Sequence, residues 1–428
     1  MEIRDQLSEV ISSYDRGALD ETRLLLASLR SPEIATLLES TPPKTRQVLW
    51  QLLDEEVENK VLQHLHDDVL EDFLGSMDTE QIAAAADDLD TDDFADILQR
   101  LPTTISNSVL ASLDASDRAR VEAVLSYPED TAGGLMNTDT ITVRPRHAVE
   151  IVLRYLRLHK DLPPTTDSLI VVNSVDDYVG VLPIARLITS DPSVTVREIM
   201  DTDAETFSVE TPDTDVARRF SEHDLISAPV LDDAGKLLGR ITIDDVVDVI
   251  IEDAEEALMT RAGLDLDEDT FAPIGRAARG RALWLTINLL TAFLASAVIN
   301  VFEDTIAKVV ALAVLMPIVA SMGGIAGSQT LIIVIRGLAL GRIGHSNARW
   351  LMNKELAVTA LNGLAWALVV ALIAGFWFQN LDIGLIIATA LIINLVCAAV
   401  AGLGIPFILT RMDIDPALAG TVLLTTIT

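Results

Sequence analysis

The sequence predicts a multi-domain protein: an all-α superhelical N-terminal domain, a tandem α/β module, a connecting helix and an α-helical transmembrane bundle. Three observations predict it. From about Ala282 to Thr428 the chain consists of long apolar segments. Residues 138–250 carry short β-branched runs in a pattern that occurs twice. Residues 1–126 instead place apolar residues three and four apart, with Asp, Ser, Thr and Pro between the groups.

In residues 1–126, units such as 37–43 (Leu-Leu-Glu-Ser-Thr-Pro-Pro), 86–98 and 98–102 (Leu-Gln-Arg-Leu-Pro) read as short capped helices. Repetition of such units predicts stacked helix pairs in a superhelix. The domain assigned to 127–250 has candidate strands at 141–143, 168–173, 178–182, 227–231 and 237–242, with helices at 147–159 and 212–223. Residues 176–187 parallel 233–247, which implies a duplicated β-α-β-β-α unit. Residues 251–275, starting Ile-Glu-Asp-Ala-Glu-Glu, predict a helix that leads to the membrane segment 276–428.

A bilayer core needs about 20 mostly apolar residues per helix. Segments 282–302, 306–335, 355–378 and 383–409 meet this, and a fifth begins near Ile414. From Ile414 to Thr428 the helical reach is about 22 Å at 1.5 Å per residue, against a core of roughly 30 Å, so a truncated fifth helix is expected. Arg276, Arg279 and Arg281 precede the first segment. Arg342, Arg349 and Lys354 lie between the second and third, and Arg411 follows the fourth. The positive-inside rule then puts the N-terminal domains in the cytoplasm and the C-terminal end outside, in a multi-pass protein of the cell's inner (plasma) membrane.

Of 64 acids and 31 bases, 58 and 22 fall in residues 1–272, giving that part a net charge near −36 and the remainder near +3. So acidic a surface excludes nucleic acid as a partner and attracts cations. Membrane lipid is the expected surround of the apolar part. The single cysteine, Cys397, provides neither a disulfide nor a thiolate metal site. With no Walker A lysine, nucleophile triad or zinc spacing, ATP hydrolysis and enzymatic activity are not expected.

Tyr127-Pro-Glu-Asp-Thr-Ala-Gly-Gly-Leu-Met136 closely resembles the sequence joining the N domain to the CBS (cystathionine-β-synthase-like) pair in MgtE magnesium transporters. The duplicated unit resembles that tandem CBS pair, residues 248–272 its plug helix, and Pro317–Gln329 with Asp415-Pro416-Ala417 its pore signatures. The resemblance covers essentially the whole chain. It implies a homodimeric Mg²⁺ channel with its pore between protomers, closed when internal Mg²⁺ binds the cytosolic domains. Ile325 stands where many relatives have Asn. The family's principal pore carboxylate would fall one residue beyond Thr428. A channel for another divalent ion (Co²⁺, Mn²⁺, Ca²⁺) and a non-conducting, membrane-anchored CBS nucleotide sensor are the alternative readings.

Mg²⁺ prefers oxygen ligands and keeps several waters, so few pore carboxylates are needed. Asp415 is a candidate pore ligand and equally a candidate N-cap before Pro416. Gly323 and Gly324 suggest a pore-facing bend, Gly327 close helix packing, and Ser328 and Gln329 neutral oxygens on the pore wall. Asn288 and Asn394 are expected to hydrogen-bond between helices. Asp92 and Asp96 stand four apart on one helix face, as do Glu252 and Glu256, and like charges so placed repel unless a cation intervenes. Each acid alone reads as part of a solvated face. The resemblance places Asp92, Asp96, Asp224, Asp245, Asp248, Asp253 and Glu256 at or near metal-sensing positions. Thr242 with Asp245 resembles the Thr/Ser-x-x-Asp by which CBS pairs bind the ribose and phosphate of an adenine nucleotide such as ATP.

Overall fold

The computed structural model describes residues 3–158, 162–163, 165–262, 264, 270–339, 343, 347–412 and 416–428. It divides into two compact units, 1–255 with 267–273, and 256–266 with 274–428.

The first unit begins with ten short helices: α1 (Ile3–Asp15), α2 (Leu19–Leu26), α3 (Ser31–Glu39), α4 (Pro43–Trp50), α5 (Glu55–Leu62), α6 (Asp67–Leu74), α7 (Thr79–Ala84), α8 (Thr91–Gln99), α9 (Thr103–Ser112) and α10 (Ala115–Val124). The sequence marks their starts. Proline opens α4 and occupies the first turn of α3, where a missing N–H costs nothing. Asp78 and Asp114 accept backbone N–H bonds at the heads of α7 and α10.

Two copies of one three-stranded pattern follow. The first comprises β1 (Thr142–Val143), α11 (Val149–Leu158), β2 (Ser168–Val172), β3 (Tyr178–Pro183), α12 (Ile184–Thr189) and α13 (Val196–Ile199). The second comprises β4 (Phe207–Ser208), α14 (Asp213–His223), β5 (Ser227–Leu231), β6 (Leu237–Thr242) and α15 (Ile243–Ala262). In each sheet the first strand runs parallel to the middle one and the third antiparallel, with a register shift at Val171/Val172 and again at Val230/Leu231. The duplication read from 176–187 and 233–247 is therefore a duplication of structure. The expected connecting helix is not a separate element: α15 starts at Ile243 and runs unbroken to Ala262.

The link 127–137 decides how these parts join. Its backbone bonds to the second copy, Ala132 N–H to Thr211 O (2.8 Å), Gly133 N–H to Val209 O (3.0 Å), and Asn137 in both directions to Arg240. The N-terminal helices consequently share one hydrophobic core with the second copy, where Phe94, Ile97, Ala132, Met136, Phe207, Val230 and Val246 are all buried. The first copy has its own core around Val149, Leu169, Val171 and Leu182. The paired glycines of the link follow from close approach. A Cβ on Gly133 would lie 2.5 Å from the Tyr127 ring, and one on Gly134 2.5 Å from the Glu129 carbonyl. Gly134→Ala is expected to destabilise the first unit by about 2 kcal/mol, because backbone must move. Chemical unfolding followed by tryptophan fluorescence checks this; an unchanged midpoint would contradict the close packing.

The second unit holds α16 (Ile274–Asn300), α17 (Glu303–Lys308), α18 (Val310–Ala339), α19 (Ala348–Trp377), α20 (Leu381–Arg411) and α21 (Pro416–Ile427). Four of them, α16, α18, α19 and α20, are long and apolar enough to cross a membrane. Helix α20 is the hub, packing against α18, α19 and α21. No residue of α16 is buried, and its apolar surface on every side suits lipid. Pro317 and Pro406 lie inside α18 and α20.

Candidate functional site

Acids meet at two helices of the first unit. Helix α8 carries Asp92, Asp93 and Asp96, preceded by Asp90. The first turns of α15 carry Asp244, Asp245, Asp248 and Glu252, of which Asp245, Asp248 and Glu252 recur at three- and four-residue spacing on one face. Packing in the shared core brings these faces together. Burial, then the charge of Asp245, pushes the Asp92 carboxyl well up. The same two causes push Asp93 up to about 8. Asp96 rises to about 8 through burial and Glu129, with Arg100 opposing. On α15, burial and then Asp244 push Asp245 up to about 7, and burial and then Asp248 push Glu252 up to about 7. Asp248 is raised by burial and Asp244.

Arg100 holds one edge of this region. It bonds Asp67 of α6 at 3.0 Å and Glu129 of the link at 2.6 Å. The interior of the cluster is not neutralised this way. Asp92 is 5 % exposed, and Oδ1 of Asp92 and Oδ1 of Asp96 are buried with no hydrogen-bond partner among the described residues. An unpaired buried carboxylate is costly, so such a site gains from a proton or a cation. Among the described residues no three acidic, histidine or cysteine side chains are close enough to share one ion. A divalent ion here would bridge through its own waters, as Mg²⁺ commonly does.

Asp92, Asp96, Asp245 and Asp248 thus converge, and Asp93 and Glu252 join them. The spacing of Glu252 from Asp248 and Asp245 was the available signal for including it. Asp253 is raised by burial, and its charge acts on Asp213 of α14. Asp224 is exposed and forms the left-handed C-cap of α14 (φ 52°). Glu256 falls in the second unit. Thr242 and Asp245 do meet: the Thr242 N–H donates to Asp245 Oδ2 at 3.2 Å at the start of α15, and the single hydroxyl proton is shared between Asp244 Oδ1 and Asp245 Oδ2, the latter at 2.9 Å.

In the second unit Gly323 is buried against α20, where a Cβ would overlap the Asn394 amide at 2.1 Å. That amide donates to Val319 O at 2.7 Å, the expected bond between helices. Asn288 differs, bonding Trp284 O within its own helix. Gly327 packs on Leu424 of α21, and its carbonyl lies 2.7 Å from the position of a Cβ on Gly402. A Cβ on Gly324 would meet, among the described residues of other helices, only Thr428 Oγ1, at 3.9 Å; Ser328 is half-buried and Gln329 exposed. Asp415 lies outside the described residues. One acid that sequence reasoning passed over is buried in this unit: Glu355 of α19, 5 % exposed.

Three family descriptions match along the chain: an MgtE intracellular N domain at 29–130, a CBS domain at 196–252, and an MgtE divalent cation transporter at 316–428. Proteins named magnesium transporter MgtE are similar over nearly the full length. The one from Thermus thermophilus is 30 % identical, covering 98 % of this chain and 94 % of that protein. The one from Bacillus subtilis is 27 % identical, covering 94 % and 92 %. A crystal structure of the cytosolic domain of the Mg²⁺ channel MgtE in complex with ATP is 31 % identical over 57 % of this chain and 99 % of that one, with a TM-score of 0.52. The soluble part of a magnesium transporter is 25 % identical over 59 % of this chain and 100 % of that one, with a TM-score of 0.51.

Proposed function

Because the chain belongs to the MgtE family of magnesium transporters, we propose that it carries Mg²⁺ across the cell membrane through its helical membrane unit and that Mg²⁺ bound to the acidic cytosolic region closes the path. The observation that carries the gating reading is the pair of orphaned carboxylate oxygens, on Asp92 and Asp96, buried where α8 meets the acids of α15. With a cation in place these faces stay docked. Without it the buried charges repel, and the N-terminal helices release α15, the helix that continues toward the membrane unit.

In this reading the protein acts as a homodimer with its path between protomers, and Asp415, Gly324, Ser328 and Gln329 contribute to the wall of that path. Gly323 supports the wall through Asn394. Asp224, Asp253 and Glu256 add outlying cation contacts. The CBS pair takes an adenine nucleotide such as ATP. The residues fit its ribose: Asp245 offers an acceptor and Thr242 a hydroxyl side by side at the start of α15. Thr242→Val would remove that hydroxyl, and with it the side-chain bond to Asp245, leaving only the backbone N–H bond, so weaker nucleotide binding measured by calorimetry is expected.

Mg²⁺ uptake into liposomes by the purified protein, followed by an internal Mg²⁺ dye, tests the reading. Uptake is expected to be fast at low Mg²⁺ on the cytosolic side and to fall as that concentration rises. Co²⁺, Mn²⁺ or Ca²⁺ entering in preference to Mg²⁺ would select the other-divalent reading; no flux of any divalent would select the sensor.

A further inference from the structure

Glu355 is an acid buried inside a membrane-crossing helix, where ionisable side chains are rare and tied to function. Among the described residues it is only partly satisfied. Thr330 of α18, itself 3 % exposed, donates its hydroxyl to Oε2 at 3.4 Å, and Lys354 Nζ lies 3.1 Å from Oε1. A carboxylate has about four acceptor sites, so about half its capacity is left over. Glu355 also lines a cavity of about 180 Å³ between α18 and α19, with Gln329, Thr330, Lys354, Thr359 and Asn362 as the other polar walls. At about 30 Å³ per molecule that volume holds roughly six waters. The side-chain oxygens around it are those a hard, hydrated divalent ion accepts.

We propose that this cavity is a binding site for one hydrated divalent cation within each protomer, with Glu355 as its anionic ligand and Lys354 as a tethered competitor. The ammonium occupies the carboxylate when no ion is present. It is half-exposed on a flexible stem, so an arriving ion displaces it outward. The ion enters an overall neutral site and is held weakly, as passage requires. The proposal rests on the reading of the second unit as a cation path, but its test reads binding and not flux, so the two fail separately.

The lone cysteine, Cys397, provides the probe position. It is exposed on α20, two residues from Leu395, which lines the cavity. A nitroxide attached there in the detergent-purified full chain reports Mn²⁺ bound in the cavity through broadening of its EPR lines. Titration with Mn²⁺ is expected to give saturable broadening whose extent falls at least threefold in Glu355→Gln. In Lys354→Met the midpoint is expected to move to at least fivefold lower Mn²⁺, because the competitor is gone. Broadening in Glu355→Gln equal to the parent's, or a midpoint in Lys354→Met that is unchanged or higher, overturns the site. The Lys354→Met result decides alone if Glu355→Gln does not fold.

Discussion

Replacing Asp245, Asp248 and Glu252 together by Asn, Asn and Gln is expected to leave uptake running at internal Mg²⁺ concentrations that silence the parent protein. These three acids form the α15 face opposite α8. Without them Mg²⁺ has ligands on one side only, while Asp92, Asp93 and Asp96 still resist burial. Docking then costs desolvation that no bridging ion offsets. A midpoint for inhibition raised at least tenfold corresponds to about 1.4 kcal/mol of lost binding. Liposome uptake at stepped internal Mg²⁺ measures it. An unaltered inhibition curve, or a variant closed at every Mg²⁺ concentration, would refute the assignment of these residues to the gate.

The Mg²⁺-free cytosolic region is expected to lose stability as pH rises from about 5.5 to about 8.5. Asp93 and Asp96 titrate near 8, and Asp245 and Glu252 near 7, in the folded protein. Ordinary carboxyls titrate near 4. A group whose folded pKa lies above its unfolded value gives stability that is complete below the unfolded pKa and disappears as pH climbs through the folded one. The window is therefore about 4 to 8, with the steepest loss between about 5 and 7, where all four groups keep protons in the folded protein that the unfolded chain has released. Glu33, Asp114, Asp191 and Glu198 shift the opposite way through hydrogen bonds, and their stability is lost only as pH falls toward and below 4. A melting temperature lower by about 5–10 °C at the alkaline end is expected, given ~2–4 °C per kcal/mol for domains of similar size. Millimolar Mg²⁺ should remove most of that loss by taking the place of protons, and NaCl of equal ionic strength should not. A melting temperature flat across this range, or equal protection by NaCl, would show that the carboxylates are not buried against one another.

Much of this protein is written in local patterns. The apolar lengths that become α16, α18, α19 and α20, the capped units of α1–α10 and the two copies of the strand pattern each follow from residues adjacent in sequence, because helix and strand periods and bilayer thickness are local constraints. Candidate acids were also legible, as runs at helical spacing around Asp92–Asp96 and Asp244–Glu256. Which acids meet was not. That depends on Ala132, Gly133 and Asn137 bonding to Thr211, Val209 and Arg240, more than seventy residues away, which seats the N-terminal helices on the second copy rather than the first. Only this packing selects Asp93 and Glu252 and leaves Asp224 on an exposed cap. The role of Gly323 also needed tertiary structure, since the Asn394 amide that lies on it comes from another helix. Glu355 sits in its sequence beside Lys354 like an ordinary surface pair; burial against Thr330 of α18 is what gives its charge a consequence. The sequence by itself determined the elements, their order and the supply of charge. The tertiary structure decided which charges lose water and face one another, because desolvation and Coulomb repulsion depend on distances that no local pattern encodes.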